Sequence, residues 1–281
     1  MSTANELRAL YEASPVGVRP TFRDTATEAR AYYARYVGFV DANVPCRPAR
    51  ILDVGCGSGW STLLFHERGH QVHGVDLHGE VLEARAQAPE LAYTQGDVQC
   101  LPFDTDSFDV VGMYQTLEHV PDPRRALEES MRVLRPGGRL VVVGPNLLGS
   151  AVNLYWALLS TAQLARKGRF WERRTSDLPR HPGGNTMPEA WASTARHFAW
   201  TLQKLAVERE PRFLMREPDT RPPFHADNDA CYFCNPMDLV NWARQTGLAT
   251  PRRWWAADRR LARVAWPFTG GTWVVLEKPA S

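Results

Sequence analysis

Residues 51–59 read ILDVGCGSG, and the fold of this chain turns on that stretch. A short β-branched run, Arg50–Val54 (RILDV), passes directly into glycines at alternate positions, Gly55, Gly57 and Gly59. A helical pattern over Ser61–Arg68 follows and stops at Gly69. Glycines between a strand and a helix leave no Cβ in the way of a ligand approaching the backbone. The helix beyond them presents unpaired N–H groups. Outward from this unit the pattern repeats. Gln71–Val75, Phe108–Met113 and Arg139–Gly144 are further β-branched runs, and Leu91–Gln95 is a weaker one. Pro123–Leu134 reads as a helix, with Asp122 as N-cap, proline at the first position and a stop at Pro136-Gly137-Gly138. Strand–helix alternation at this spacing predicts a parallel, doubly wound α/β sheet. Thr25 and Glu28 make a capping box for a helix over about 26–41. Near the end, PRRWWAAD and GTWVVLEK predict a hairpin-like closing pair of strands.

The chain has 281 residues, 44% hydrophobic and 23% charged. Such a composition excludes disordered, collagen-like and disulfide-scaffold classes. A formal charge of +2 gives no global bias toward nucleic acid. The distribution is uneven: residues 44–146 carry a net −5 and residues 147–281 a net +7, and nine of the ten tryptophans lie after residue 146. Five cysteines, with only Cys231 and Cys234 close together, predict reduced thiols and a cytoplasmic protein. The N-terminus has neither the basic start nor the apolar core of a secretory signal. The uncharged stretch 140–165 is broken by Pro145-Asn146, and only 147–165 reads as a buried or interfacial helix rather than a membrane span. Four regions are expected in one domain: a helical cap over 1–43, a ligand-binding core over 44–146, a helical substrate lid over 147–235, and a closing helix with strands over 236–281.

Three carboxyl strand ends carry candidate ligand groups, on the side where open parallel sheets bind ligands. The first is the glycine loop behind Asp53. The second is Asp76, 23 residues beyond Asp53 and suited to grip both hydroxyls of a ribose. The third is Gly96-Asp97-Val98, an acidic turn that can meet an adenine edge. A pyrophosphate disfavours an acid in front of the loop, and the spacing is GxGxG rather than GxGxxG. An acid there suits a ligand with ammonium and sulfonium groups, which favours S-adenosylmethionine over a nicotinamide dinucleotide.

The sequence resembles class I S-adenosylmethionine-dependent methyltransferases of the small-molecule type, the methyltransferase type 11 or ubiquinone C-methyltransferase-like group. The resemblance rests on ILDVGCGSG (51–59), GVDLH (74–78), GDVQCLPFDTDSFDVV (96–111), LEHVPDP (117–123) and VLRPGGRLVVVGPN (133–146). It covers about a third of the chain. It implies a Rossmann-like three-layer sandwich with a seven-stranded sheet, mostly parallel and with the last strand antiparallel. It implies S-adenosylmethionine as cofactor, held by Asp53, Gly55, Cys56, Gly57, Gly59, Asp76, Leu77, Asp97, Val98 and Tyr114. Tyr114-Gln-Thr-Leu-Glu-His119 replaces the Asn/Asp-Pro-Pro-aromatic signature of the family's amino-nucleotide methylating members, which argues against DNA adenine methylation; no nucleic-acid partner is expected.

In this fold His119 follows the fourth strand and is the candidate base for a hydroxyl acceptor. Glu118 is a candidate contact to cofactor or substrate. Tyr32 and Tyr33 are placed to close over the cofactor. His66-Glu-Arg-Gly-His70 matches HExxH, but at a helix terminus it reads as no zinc site. In HADNDACYFC (225–234), His225, Asp227, Asp229, Cys231 and Cys234 read as a polar loop with buried cysteines, and no metal is expected. The other reading of that loop makes Asp227 or Asp229 a base. The run Arg166–Arg174 is either a solvated lid edge or a contact for an anionic substrate or membrane surface. The whole predicts an enzyme methylating an oxygen of a small molecule such as a sugar, glycan precursor or secondary metabolite. The alternatives are a lipid or quinone methyltransferase and, in another class, a cofactor-binding regulator without turnover. A nicotinamide-dependent oxidoreductase stands third.

Overall fold

A computed structural model describes residues 26–78, 91–149, 154, 157–158, 161–162, 187–207, 212–218, 229–255 and 260–280. In chain order the elements are α1 (Ala26–Asp41), β1 (Arg50–Val54), α2 (Trp60–Glu67), β2 (Gln71–Asp76), β3 (Ala92–Gln95) and β4 (Phe108–Tyr114). There follow α3 (Pro123–Val133), β5 (Leu134–Pro145), α4 (Met187–Val207), α5 (Pro236–Thr246), β6 (Thr250–Arg253), α6 (Arg260–Ala265) and β7 (Gly271–Glu277). The strands form one seven-stranded sheet in the order β3-β2-β1-β4-β5-β7-β6. β1 to β5 run parallel, and β7 lies antiparallel between β5 and β6.

Both faces of the sheet are covered, so its central strands are mainly apolar on both sides rather than alternating, with Asp53 and Asp109 as buried exceptions. Leu52, Val54, Val111, Met113, Leu140 and Val142 point to one face and pack with Leu127 and Met131 of α3 and Leu239 and Trp242 of α5. Ile51, Val110, Val141 and Val143 point to the other and meet Tyr33, Tyr36, Val37 and Val40 of α1 and Phe65 of α2. The buried positions of α1 recur at helical spacing, which is why this segment folds as a helix with one face on the sheet. Asp122 Oδ1 accepts from Arg125 N at 3.0 Å and starts α3, as its sequence predicts. Asn235 caps α5 in the same way through Asp238 N, and Gly247 ends it in the left-handed conformation.

Two expectations need correcting. β5 starts at Leu134, directly after α3, and not at Arg139. The helix has already ended at Val133, and Pro136-Gly137-Gly138 lies inside the strand, at an irregularity in the pairing with β4. Gly137, at φ 76°, takes the kink, and its N–H donates to Lys278 O at 2.9 Å. The closing strands β6 and β7 do pair antiparallel, but α6 and a 3-10 turn over Trp266–Phe268 come between them, so they are not a tight hairpin. None of the described helices is long and apolar enough to cross a membrane.

Candidate cofactor and acceptor site

The glycine loop is built by its neighbours. Gly55 N and Cys56 N both donate to Val75 O, at 2.8 and 3.2 Å, which curls the chain over the end of β2. Gly55, Gly57 and Gly59 all have positive φ, at 69, 49 and 77°. Gly55 is required twice over, because a Cβ there would also lie 2.2 Å from Thr116 Oγ1. A Cβ on Gly57 would meet nothing within 4 Å, so that side of the loop opens to a ligand. Ser58 Oγ, in the same loop, is buried and makes no hydrogen bond among the described residues.

Asp53 lies beneath the loop, 1% exposed. Its carboxylate accepts from Ser61 Oγ and Thr62 Oγ1, both at 2.7 Å, and from Tyr36 OH at 3.4 Å. Burial and the adjacent Asp53 hold the Tyr36 phenol well above its usual range, so it stays a donor. Asp53 therefore braces β1 against α2 and α1. Cys56 is buried too, with its side chain against Gly74, so its backbone alone faces the loop.

Asp76 ends β2 with both oxygens engaged and still able to accept. Oδ2 takes Gly57 N at 2.8 Å, and Oδ1 takes His78 N at 2.9 Å. Each carboxylate oxygen keeps a second lone pair for a ligand hydroxyl. Leu77 O accepts from Gln95 Nε2 at 3.0 Å, which ties this corner to β3. Asp97 folds back on its own turn, accepting Gln99 N at 2.8 Å, and Val98 packs its side chain into the core. The adenine edge proposed for Asp97 and Val98 is thus a rigid turn with backbone groups at its rim. An open glycine face, a carboxylate with spare lone pairs and an orphaned buried hydroxyl are a donor and acceptor set that fits S-adenosylmethionine.

Tyr114 ends β4 and lies parallel to Tyr36, ring centroids 4.7 Å apart. Tyr32 and Tyr33 of α1 set their rings against it at 5.3 and 5.4 Å. Beyond Tyr114 the chain turns sharply through Gln115, at φ 52°, into a 3-10 turn over Leu117–His119. Thr116 Oγ1 lies 3.2 Å from Val54 O, which keeps this turn on the end of β1.

The structure brings His119 and the far segment 229–234 together. Glu118 O accepts from Cys231 N and Tyr232 N, at 2.9 and 3.0 Å. That anchor sets Asp229 Oδ2 3.2 Å from His119 Nδ1, at ion-pair distance but without the alignment of a full hydrogen bond. His119 Nε2 lies 3.8 Å from Glu118 Oε1, too long for a hydrogen bond. The imidazole thus stands between two carboxylates from distant parts of the chain. Sequence reasoning singles out His119 and Asp229 separately; no local signal couples them. Cys231 and Cys234 are buried, and burial pushes the Cys231 thiol up to about 12 and Cys234 well above its usual range. Both are therefore protonated packing groups, and no metal-binding cluster occurs among the described residues. His225, Asp227 and the 166–174 run lie outside the described residues. The HExxH residues are drawn apart. His70 is buried and bonded to Ala49 N and Asp41, while Glu67 pairs with Arg30 on the surface. A cavity of about 370 Å³ lined by Arg50, Gln71, His73 and Phe103 sits at the amino ends of the strands, on the rim opposite the glycine loop.

Comparison with known proteins agrees with this geometry. Residues 52–142 match the family described as "Methyltransferase domain". The ubiquinone biosynthesis O-methyltransferase of Idiomarina loihiensis is 43% identical over 98 residues, covering 32% of this chain and 40% of that protein. The demethylmenaquinone methyltransferase of Renibacterium salmoninarum is 36% identical over 104 residues, covering 37% and 44%. The chain thus spans less than half the length of these curated relatives. A Pyrococcus horikoshii protein of solved structure aligns over 93% of this chain and 96% of its own, with TM-score 0.53 and 15% identity. An S-adenosylmethionine-dependent methyltransferase from Mesorhizobium loti aligns over 87% and 98%, with TM-score 0.51 and 18% identity. At such identities these two show the fold alone. Residues 52–142 thus resemble a methyltransferase domain in sequence, and the fold and glycine loop around them are of the kind that holds S-adenosylmethionine.

Proposed function

We propose that the protein transfers a methyl group from S-adenosylmethionine to an oxygen of a small-molecule acceptor, and that the acceptor is a phenol or quinol ring. The observation that carries the reading is the position of His119, at the carboxyl edge of the sheet beyond β4 and between the carboxylates of Glu118 and Asp229. When bound, the cofactor supplies a methyl carbon already activated by its positive sulfur, so the chain's own work is alignment, exclusion of water and removal of one proton. Asp76 and the open face of Gly57 would hold the ribose and the amino-acid end. His119 Nε2 would take the acceptor's hydroxyl proton, and Asp229 beside Nδ1 would stabilise the imidazolium that results. Tyr32, exposed at the edge of the tyrosine cluster, and the half-buried Tyr114 offer flat surfaces for a ring, which supports an aromatic acceptor over a sugar. The printed names of the relatives, which concern ubiquinone and demethylmenaquinone, support the same choice. The test is a panel of acceptors offered with methyl-labelled S-adenosylmethionine: catechols and hydroquinones with and without an isoprenoid tail, set against free sugars and nucleotide sugars. Label on the phenolic oxygen supports the proposal. Label on sugars alone moves the acceptor to the glycan class.

A further inference from the structure

Helix α4 is inside out. Its buried face carries Ser193, His197, Thr201 and Lys204, and its exposed face carries Trp191, Phe198, Leu202 and Leu205, each between 40 and 47% exposed. The inward polar groups are satisfied. Lys204 Nζ lies 2.5 Å from Asp238 Oδ1 and 2.8 Å from Arg212 O. Asp238 in turn accepts from Tyr232 OH and Asn235 Nδ2, at 2.8 and 2.7 Å. Thr201 Oγ1 donates to His197 O at 2.9 Å. A buried lysine next to a buried aspartate fixes the rotation of the helix, because turning α4 over would strand both charges. The apolar stripe is therefore held outward.

The stripe has a pattern of its own. Trp191, Ala195, Phe198, Leu202 and Leu205 follow each other by steps of 4, 3, 4 and 3 residues, the spacing of a seam that packs on another helix. The spacing is also close to symmetric about Phe198. In an antiparallel pair centred there, Trp191 would face Leu205 of the second copy and Ala195 would lie against Leu202, small against large. Arg196 is the only charged side chain exposed on α4 between residues 191 and 206. Depletion of charge of this kind marks the core of an interface. Trp191 Nε1 donates to Thr161 Oγ1 at 3.1 Å, which brings Leu158, 54% exposed, to the same end. The stripe is about 21 Å long. It offers roughly 500 Å² in each copy and about 1,000 Å² in a symmetric pair, the lower bound of a specific interface.

We infer that α4 is the contact between two copies of this chain, packed antiparallel about a two-fold axis at Phe198. A residue on a two-fold axis meets itself, which gives a sharp test. Sedimentation of the purified chain over a range of concentrations should show a dimer that dissociates on dilution. Phe198→Glu should be monomeric, with the circular dichroism of the parent. Because Phe198 also stacks on Phe268 at 5.4 Å, a second set of variants guards against loss of folding. In a background with exposed Cys46 and Cys100 changed to serine, Phe198→Cys should form a disulfide-linked dimer on mild oxidation. Leu205→Cys alone should not, and a mixture of Trp191→Cys with Leu205→Cys chains should cross-link. A parent that is monomeric at every concentration, or Phe198→Cys cross-linking no better than Leu205→Cys, overturns the proposal. Capture of the monomer by vesicles of anionic lipid through the same residues also overturns it, and assigns the stripe to a membrane surface.

Discussion

Replacing Gly55 by alanine should cost stability for two separable reasons. The first is conformational: φ is 69°, and an L side chain in that region costs about 1–2 kcal/mol. The second is steric. The new Cβ would lie 2.2 Å from Thr116 Oγ1 and 2.6 Å from Thr116 Cγ2, and overpacking of this kind typically costs ~1–3 kcal/mol. The single substitution should therefore destabilise by roughly 2–5 kcal/mol, read from urea unfolding. Thr116→Ala removes the two closest atoms and leaves Cβ at 2.9 Å. In that background Gly55→Ala should cost the conformational part and a smaller residual clash, so the double-mutant cycle should show a coupling of up to about 1–3 kcal/mol. The pair joins the end of β1 to the turn after β4, so Gly55→Ala should also weaken S-adenosylhomocysteine binding. A Gly55→Ala protein as stable as the parent, or two substitutions that simply add, would refute the picture of a loop packed at contact distance on Thr116.

Asp76→Ala should lower the calorimetric affinity for S-adenosylhomocysteine by about tenfold to a hundredfold, the worth of one charge-assisted pair; an unchanged affinity means that β2 does not carry the ribose site. His119→Ala should cut turnover by ~10²–10⁴ and leave cofactor affinity nearly intact, and a loss of less than a few-fold demotes it to packing. His197 should make stability pH-dependent. Its burial on the inner face of α4 lowers it from 6.5 to about 4, so between those values the unfolded chain binds the extra proton. The stabilising effect is complete above about 6.5 and fades as pH falls toward about 4, by up to about 3 kcal/mol. His197→Leu should flatten that part of the urea-midpoint profile relative to the parent, and a profile of unchanged slope shows that His197 is not held neutral.

What the sequence discloses is what local chemistry encodes. β1, the glycine loop and Asp76 lie within 27 residues, and each announces itself through a strand pattern, a backbone requirement or a strand end. α3 is equally legible, because its Asp122 cap and Pro123 sit next to each other. β5 shows the limit. Pro136-Gly137-Gly138 reads as a stop, yet distant partners hold it in the sheet: Lys278 takes up the backbone of Gly137 and Gly138, and Arg135 reaches Asp109 at 3.0 Å. The pairing of His119 with Asp229 is hidden for the same reason, since it depends on Glu118 O receiving two N–H groups from residues more than a hundred positions away. α4 hides its orientation most completely. By composition its apolar positions belong inside, and the buried Asp238, on another helix, draws Lys204 inward in their place.

The most direct test of the account is a single-turnover experiment with methyl-labelled S-adenosylmethionine, excess protein and a hydroquinone or catechol acceptor, carried out in parallel on the parent and on His119→Ala. The account predicts label on the acceptor's oxygen with the parent and its near-absence with the variant, while both proteins bind the cofactor equally. Cofactor bound and no label on any acceptor would contradict it, and would leave a binding protein without turnover.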